Sequence, residues 1–323
     1  MKSHDKYESL RTCGIPKPLY PICGKPLLYY CLQNLAEQSV SRAIIVTWSA
    51  DKEQVQATIA SFDFGSMKVE FVISTDNSEY SSQISGLSLA LPFIPIDSTF
   101  SVVFGDMTSP LTLPKLPGNT SVSMTLTSSN GASPFIVGVS DFETLALLKP
   151  VEEIEFDGEL RLTASSPLKI RGDLFDANVY TFKNTETFKS AIEENTDEET
   201  ISGLIGSRMV NTGTVSCVIS PSPTIRVKSL ADLLAAHQAQ ARVLKLKGNN
   251  WSESVEPEGV VLKNSAIGKS VQIGIGSRIV RSVVMDNVVI APGSTIEDSL
   301  ICPGARVTGE VSSEVVVLMN GDN

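Results

Sequence analysis

A repeat of 17 residues near the carboxyl end constrains the fold of this chain more than any other feature. Three segments align at this spacing, each with a serine in the same register: Gly259–Ile267, Gly276–Val284 and Gly293–Ile301, with Ser265, Ser282 and Ser299. Aliphatic residues recur in steps of five or six, at Leu262, Ile267, Ile273, Ile279, Val284, Ile290, Ile296, Ile301 and Val307. Three steps make one period, so each coil has three short sides with one inward aliphatic residue. The pattern predicts a triangular parallel β-helix over residues 256–318.

The first two thirds of the chain alternate helix-like and strand-like segments. Apolar residues at helical spacing predict helices over Lys25–Gln38, Lys52–Phe62 and Ser81–Leu91, and β-branched runs predict strands over Ala43–Trp48, Val69–Ile73 and Phe100–Phe104. Such alternation is typical of βαβ units in an α/β fold with a doubly wound, Rossmann-like sheet. Ligands bind these sheets at the carboxyl ends of strands, and Asp106 follows the third strand.

A break at Pro221-Ser222-Pro223 separates this region from a helix that leads to the repeat. Ser229 and Asp232 have the spacing of a capping box, which predicts that the helix begins at Leu230. Gly248 predicts its end after Lys247. We therefore predict an α/β domain over residues 1–225, a connecting helix and linker over 226–255, and the β-helix over 256–318.

The formal net charge is −10, which disfavours direct binding to nucleic acid or to an anionic membrane. The charge is concentrated, because Val151–Thr200 contains thirteen acids and five bases. A solvated acidic face is one interpretation of this segment. A docking surface for a basic partner protein is the other.

The cysteines and histidines exclude several kinds of site. The five cysteines are scattered and form no C-x-x-C pair, at Cys13, Cys23, Cys31, Cys217 and Cys302. This arrangement argues against a disulfide framework and a structural zinc site, so we expect reduced thiols. Two histidines, His4 and His237, are too few for a histidine metal centre or a Ser-His-Asp triad. Met1–Leu10 lacks the apolar segment of a secretory signal, and no run of 18 apolar residues occurs, so we expect a cytosolic protein.

Two short motifs, together with the repeat, resemble the sugar-phosphate nucleotidyltransferase family. The motifs are Pro16-Lys17-Pro18-Leu19 and Gly24-Lys25-Pro26-Leu27, and the pair Gly105-Asp106 follows at a strand end. The resemblance implies a nucleotidyltransferase-like domain followed by a left-handed parallel β-helix of hexapeptide repeats. It also implies that Lys17 and Lys25 contact phosphates and that Asp106 holds Mg²⁺, the arrangement of charges that nucleotidyl transfer uses.

The chain departs from this family at the positions that catalysis needs. The residues before Pro16 contain neither an apolar strand nor the glycine-rich loop whose amides cradle phosphates, and a Glu-Lys-Pro triplet near the sugar is missing. Because the first strand lies mid-sheet in this family, its absence should leave neighbouring strands unpaired. We therefore expect Lys17, Lys25 and Asp106 to be a remnant pocket, with no catalytic residue and no cofactor. A purely structural role for the Pro-Lys-Pro-Leu turn is the alternative.

A narrower resemblance concerns the gamma subunits of translation initiation factor 2B, the eukaryotic guanine-nucleotide exchange factor. These subunits carry a motif in which leucine and one further residue precede Asp-Ala-His, and a tyrosine follows two positions after the histidine. Leu174–Tyr180 is similar to this motif, with Asn178 in place of the histidine. Val227–Ala241 resembles their helix before the β-helix. The resemblance implies a non-catalytic subunit that pairs with an epsilon-like subunit and joins the other subunits of the complex. The pair would promote GDP release from the GTP-binding initiation factor.

The alternative function is enzymatic. A sugar-1-phosphate nucleotidyltransferase, such as a mannose-1-phosphate guanylyltransferase, shares the two lysine motifs and the Gly-Asp pair. In that case Asp106 would bind Mg²⁺, whereas the subunit interpretation requires no metal ion.

Overall fold

The computed structural model of the chain describes residues 10, 13–74, 82–108, 111–118, 120–127, 135–139, 145–150, 169–193, 199–209, 214–220, 224–246 and 258–317. These residues form an α/β structure that contains parallel sheets. The chain divides into two compact units. The first comprises Met1–Tyr30, Gly105–Ser109 and Ile225–Asn323, and the second comprises Cys31–Phe104 and Pro110–Thr224. No helix in the described ranges combines the length and apolar character that a membrane crossing needs.

The helices confirm the predicted periodicity, with small shifts at their ends. They are α1 (Leu27–Glu37), α2 (Lys52–Ile59), α3 (Gln83–Ala90), α4 (Thr185–Glu193), α5 (Ile201–Leu204) and α6 (Leu230–Val243). Helix α1 begins two residues later than predicted, because Lys25 and Pro26 pair with the preceding segment as a strand. Helix α2 ends three residues earlier than predicted, at Ile59.

Ten strands lie in the described residues before the repeat. They are β1 (Pro21–Ile22), β2 (Lys25–Pro26), β3 (Arg42–Trp48), β4 (Lys68–Ser74), β5 (Phe100–Val103), β6 (Val122–Thr127), β7 (Phe135–Val139), β8 (Leu145–Pro150), β9 (Lys169–Phe182) and β10 (Val215–Ile219). The three predicted strands are confirmed as β3, β4 and β5, to within one residue at each end. The β1–β2 hairpin turns at Cys23 and Gly24, which both have positive φ, as a two-residue hairpin loop of type I′ requires.

The strands of the second unit pair in both directions. Strand β3 is parallel to β4, and β6 is parallel to β10. Strand β9, however, runs antiparallel to β5, β6 and β7. Strand β9 was not predicted, because its charges conceal a buried run at Val179, Tyr180 and Phe182.

A gap in strand pairing separates β3 from β5. In the described part of the chain, β3 pairs with β4, and β5 pairs with β9. No backbone hydrogen-bond ladder joins β3 to β5 there. Ile44, Ile45 and Val46 of β3 are only half-buried, although strands of a doubly wound sheet are normally covered on both faces.

The C-terminal repeat forms three stacked parallel sheets. Its strands are β11 (Val261–Lys263), β12 (Ala266–Ile267), β13 (Gln272–Ile273), β14 (Arg278–Val280), β15 (Val283–Val284), β16 (Val289–Ile290), β17 (Thr295–Glu297), β18 (Leu300–Ile301), β19 (Arg306–Val307), β20 (Glu310–Ser312) and β21 (Val315–Val316). The sheet orders are β11-β14-β17-β20, β12-β15-β18-β21 and β13-β16-β19. Equivalent residues such as Leu262, Ile279 and Ile296 pair in register. This arrangement is compatible with a β-helix.

The nine aliphatic positions of the repeat lie in one apolar cluster. Seven of them are buried, and Ile267 and Ile273 are partly buried against the others. Gly274 allows two coils to approach closely, because a Cβ atom there would lie 2.3 Å from the backbone nitrogen of Pro292. The repeat therefore buries its inner face by stacking coil on coil.

A column of buried serines joins neighbouring coils. Ser265 Oγ accepts from the Ser282 amide at 3.2 Å, and Ser282 Oγ accepts from the Ser299 amide at 3.1 Å. Each hydroxyl also donates within its own coil, as Ser282 does to the Val280 carbonyl at 2.8 Å. The three serines are fully buried, which explains why they recur in the sequence at the period of the repeat.

Removing the middle hydroxyl should weaken the repeat. Ser282→Ala leaves the buried Ser299 amide without its acceptor, and an orphaned buried donor costs about 1–3 kcal/mol. Chemical denaturation should show a loss of that size, whereas Ser66→Ala, at an exposed serine, should change stability by less than about 0.5 kcal/mol. Equal stability of the two variants would contradict this role.

The capping box that begins α6 is confirmed. Ser229 Oγ accepts from the Asp232 amide at 3.2 Å, and Asp232 Oδ2 accepts from the Ser229 amide at 2.9 Å. The helix ends at Val243, four residues before the predicted end, because the chain turns to a positive φ of 52° at Lys245. The predicted terminator Gly248 lies outside the described residues.

Cys13 and Cys302 form a disulfide, so the expectation that all five thiols are reduced is wrong. Their Cα atoms lie 5.2 Å apart, within the range that a disulfide spans, although 289 positions separate them in the chain. The other three cysteines are not disulfide-bonded. The sequence could not reveal the pair, since only the fold brings these two distant residues together.

Candidate functional site

Backbone pairing in the first unit positions Asp106. The Val227 amide donates to the Asp106 carbonyl at 2.9 Å, and the Thr108 amide donates to the Ile225 carbonyl at 3.0 Å. These bonds flank an antiparallel bridge between Met107 and Arg226. Residues 225–227 therefore lie alongside residues 106–108, directly before α6.

The glycine of the Gly105-Asp106 pair has a packing role. A Cβ atom at Gly105 would lie 3.1 Å from Leu28 Cδ1, which is tighter than an ordinary van der Waals contact. A side chain here would require Leu28, at the start of α1, to shift by a few tenths of an ångström. The glycine thus lets Asp106 sit close to the start of that helix.

Two cations bind the Asp106 carboxylate. The Pro-Lys-Pro-Leu motif forms a 3₁₀ turn over Lys17–Leu19, and Lys17 Nζ lies 2.6 Å from Asp106 Oδ2. Arg226 Nε donates to both carboxylate oxygens, at 3.0 Å to Oδ1 and 3.2 Å to Oδ2. Asp106 is only 5% exposed, so the carboxylate that accepts these charge-assisted hydrogen bonds is largely shielded from solvent.

The neighbouring charges set the protonation of this cluster. Burial alone would raise the pKa of Asp106, but the charges of Arg226 and Lys17 outweigh it and hold that pKa below its usual value. The pKa of Lys228 is lowered, first by burial and then by repulsion from Arg226. Asp106 is therefore ionised at neutral pH and is balanced by cations of the same chain.

The donor set does not fit Mg²⁺. Magnesium prefers oxygen ligands in octahedral geometry, and here the Asp106 carboxylate is already bound by an ammonium and a guanidinium group. No group of three or more His, Cys, Asp or Glu side chains suited to a metal ion occurs in the described ranges. The excess of cations suits an anion instead. Lys17 and Arg226 bind Asp106, and Lys228 interacts electrostatically with both Asp106 and Arg226. The Asp232 carboxylate accepts hydrogen bonds from the Lys228 and Ser229 amides.

Lys25, the third predicted pocket residue, contacts an aromatic ring. Its side chain is exposed, and its ammonium lies 5.2 Å from the centre of the Tyr29 ring, within range of a cation–π contact. The groups that shift the pKa of Asp106 include Lys17 and Arg226 but not Lys25. The structure thus brings together two of the three predicted residues.

Sequence reasoning missed Arg226 and Lys228. Both are cations just before a capping box in an acidic chain, and they flank Val227, which is fully buried. Alternation of charged and apolar residues over 226–228 was the available signal. This alternation could be assigned to the Asp106 cluster only from the bridge to residues 106–108, and the sequence does not predict that bridge.

The Leu174–Tyr180 motif forms a buried polar turn within β9. Asp176 Oδ1 accepts from the Asn178 amide at 2.7 Å, and the Tyr180 hydroxyl donates to Asp176 Oδ2. Asn178 has a positive φ of 55°, a conformation that asparagine tolerates better than most residues. The partner strand β6 shifts register between Met124 and Leu126 at this point. In this structure the motif shapes the sheet and presents no polar group at the surface.

Comparison with known proteins does not assign the chain to a family. No protein-family model matches it, and its sequence matches no curated protein.

A second pair of reactive side chains consists of the partly buried Cys23 and the fully buried His237. Cys23 Sγ lies 3.8 Å from His237 Nδ1, and the same nitrogen accepts from the Cys23 amide at 3.2 Å. Burial raises the pKa of the Cys23 thiol to about 12 and lowers the pKa of His237 to about 3. A neutral thiol beside a neutral imidazole lacks the thiolate that nucleophilic catalysis needs. The pair instead fastens α6 to the β1–β2 hairpin.

His237 should make stability depend on pH. The buried imidazole stays neutral down to about pH 3, whereas the unfolded chain accepts its proton below about pH 6.5. The unfolded state therefore binds more protons in this window, and the free energy of unfolding should fall by about 1.4 kcal/mol per pH unit as pH decreases from 6 towards 3. Denaturation at several pH values measures this slope.

The other histidine supplies the control. His4→Gln should retain the slope between pH 6 and pH 5, where carboxylates contribute least, and His237→Gln should reduce it. An unchanged slope in His237→Gln would show that the imidazole is not held neutral.

Proposed function

We propose that this chain is a non-catalytic, gamma-like subunit of the guanine-nucleotide exchange factor for translation initiation. The observation that carries the proposal is the neutralisation of Asp106 by Lys17 and Arg226. In the family that the motifs resemble, this aspartate would hold the metal ion. A carboxylate already bound by two cations keeps the fold of such a pocket without its chemistry.

The architecture supports the same proposal. Parallel strands β3 and β4 alternate with helices, and the C-terminal sheets repeat in register every 17 residues over most of their length. We propose that the first region is nucleotidyltransferase-like and that the repeat is a left-handed parallel β-helix. Subunits of the gamma type combine these two parts, so the whole order of elements fits.

The acidic segment is the surface where we would place a basic partner. Val151–Thr200 contains eight more acids than bases, and most of its acids lie outside the described residues. Opposite charge on a partner would accelerate association and favour one orientation of the complex. The expected partners are an epsilon-like subunit, the other subunits of the complex and the GTP-binding initiation factor, in the cytosol.

The enzymatic alternative depends on the same aspartate. A mannose-1-phosphate guanylyltransferase would use a carboxylate-bound Mg²⁺ to neutralise charge on the phosphates. Metal binding at Asp106 would require Lys17 and Arg226 to leave first. The ion pairs therefore favour the subunit over the enzyme.

Co-purification tests the proposal directly. The full chain, co-expressed with an epsilon-like subunit from the same cell, should elute with it as one complex on size exclusion. The complex should release GDP from the GTP-binding initiation factor faster than the epsilon-like subunit alone. The double variant Glu152→Lys with Glu153→Lys should slow association, because it removes acidic charge from the proposed surface.

A matched variant controls for net charge. Glu53→Lys with Asp63→Lys changes the same charge at two exposed positions elsewhere, so it should associate at nearly the wild-type rate. Absence of any complex would overturn the proposal. Mg²⁺-dependent pyrophosphorolysis of a GDP-sugar by the full chain alone would establish the enzyme instead.

A further inference from the structure

The Cys13–Cys302 disulfide fastens the segment that carries Lys17. Leu10, Cys13 and Ile15 pack in one apolar cluster with residues of the repeat, among them Met285 and Leu300. The disulfide links Cys13, a member of this cluster, to Cys302 of the repeat. Lys17 follows only four residues later and binds Asp106.

The two ends of this disulfide differ in accessibility. Cys302 is buried within the repeat, whereas Cys13 is partly exposed. Of the two cysteines, Cys13 is therefore the better placed for attack by a small thiolate. The three remaining cysteines are poorer partners for exchange, because Cys31 and Cys217 are buried and burial raises the pKa of Cys23 to about 12.

We propose that the Cys13–Cys302 disulfide is a reversible redox latch that holds residues 13–20 on the repeat and so keeps Lys17 at Asp106. In a reducing compartment, a disulfide of this kind is transient and senses oxidants. The latch acts within this chain, so it does not depend on the subunit function proposed above.

The exchange uses glutathione in both directions. For opening, a glutathione thiolate attacks Cys13 Sγ, the Cys13–Cys302 bond breaks, and Cys302 leaves as a thiolate that takes up a proton. A second glutathione thiolate then attacks the mixed disulfide, which releases Cys13 as a thiol and forms glutathione disulfide. For closing, the same steps run backwards, so the two protein thiols are oxidised and glutathione disulfide is reduced.

Closure and opening have distinct consequences for the site. With the latch closed, the Leu19 and Tyr20 amides are held by bonds to the Pro16 and Lys17 carbonyls in a fixed turn. Once the latch opens, the segment loses its covalent link to the repeat, while apolar packing, the Lys17–Asp106 ion pair and the hydrogen bond from the Leu27 amide to the Tyr20 carbonyl remain. Local opening of this turn should then become more frequent.

Alkylation and hydrogen exchange of the full chain test the latch. After equilibration with glutathione disulfide and denaturation, a maleimide should label three of the five cysteines, and after reduced glutathione it should label all five. Amide exchange at Leu19 and Tyr20 should be about tenfold faster in the reduced protein. Cys302→Ser should show the fast exchange in both buffers, and Cys217→Ser should respond as the wild type does.

If Cys302→Ser folds poorly, Cys13→Ser replaces it, because it removes the same disulfide at the more exposed cysteine. It should likewise show fast exchange in both buffers. Labelling of five cysteines after glutathione disulfide would overturn the latch. Equal exchange at Leu19 and Tyr20 in the oxidised and reduced proteins would overturn it as well.

Discussion

One buried carboxylate ties together the three stretches of chain that make up the first unit. Asp106 joins three parts of the chain that are distant in sequence, since Lys17, Asp106 and Arg226 come from the three separate stretches that make up this unit. Breaking a buried pair of this kind by removing one partner costs about 3–5 kcal/mol, because an uncompensated charge remains. The same contact decides the chemistry, since a carboxylate satisfied by two cations of its own chain is a poor ligand for Mg²⁺.

Several other contacts stabilise the first unit in addition to this ion pair. His237 fastens α6 to the β1–β2 hairpin, the capping box fixes where α6 begins, and the disulfide ties the N-terminal segment to the repeat. The repeat itself needs little help, because its aliphatic cluster and serine column run from coil to coil. The first unit thus combines a self-supporting stack with a polar site that other contacts hold in place.

Strong periodicity in the sequence predicted much of this fold, and long-range pairing accounts for most of what it missed. The 17-residue spacing predicted parallel coils and their aliphatic residues, and the capping box predicted the start of α6. Strand β9 was missed because charge counts concealed its buried residues. Lys17 and Asp106 were found through motifs, whereas Arg226 and Cys13–Cys302 become partners only through contacts between segments more than 100 residues apart.

The affinity of the full chain for pyrophosphate, measured by calorimetry with Mg²⁺ and with EDTA, tests the central claim that cations rather than a metal ion occupy Asp106. A cluster of Lys17, Arg226 and Lys228 should bind pyrophosphate equally well in both buffers. Asp106→Asn should bind it more tightly, because the substitution removes a negative charge and keeps the shape of the side chain. Binding that requires Mg²⁺, or that Asp106→Asn weakens while circular dichroism shows the variant to be folded, would contradict this account.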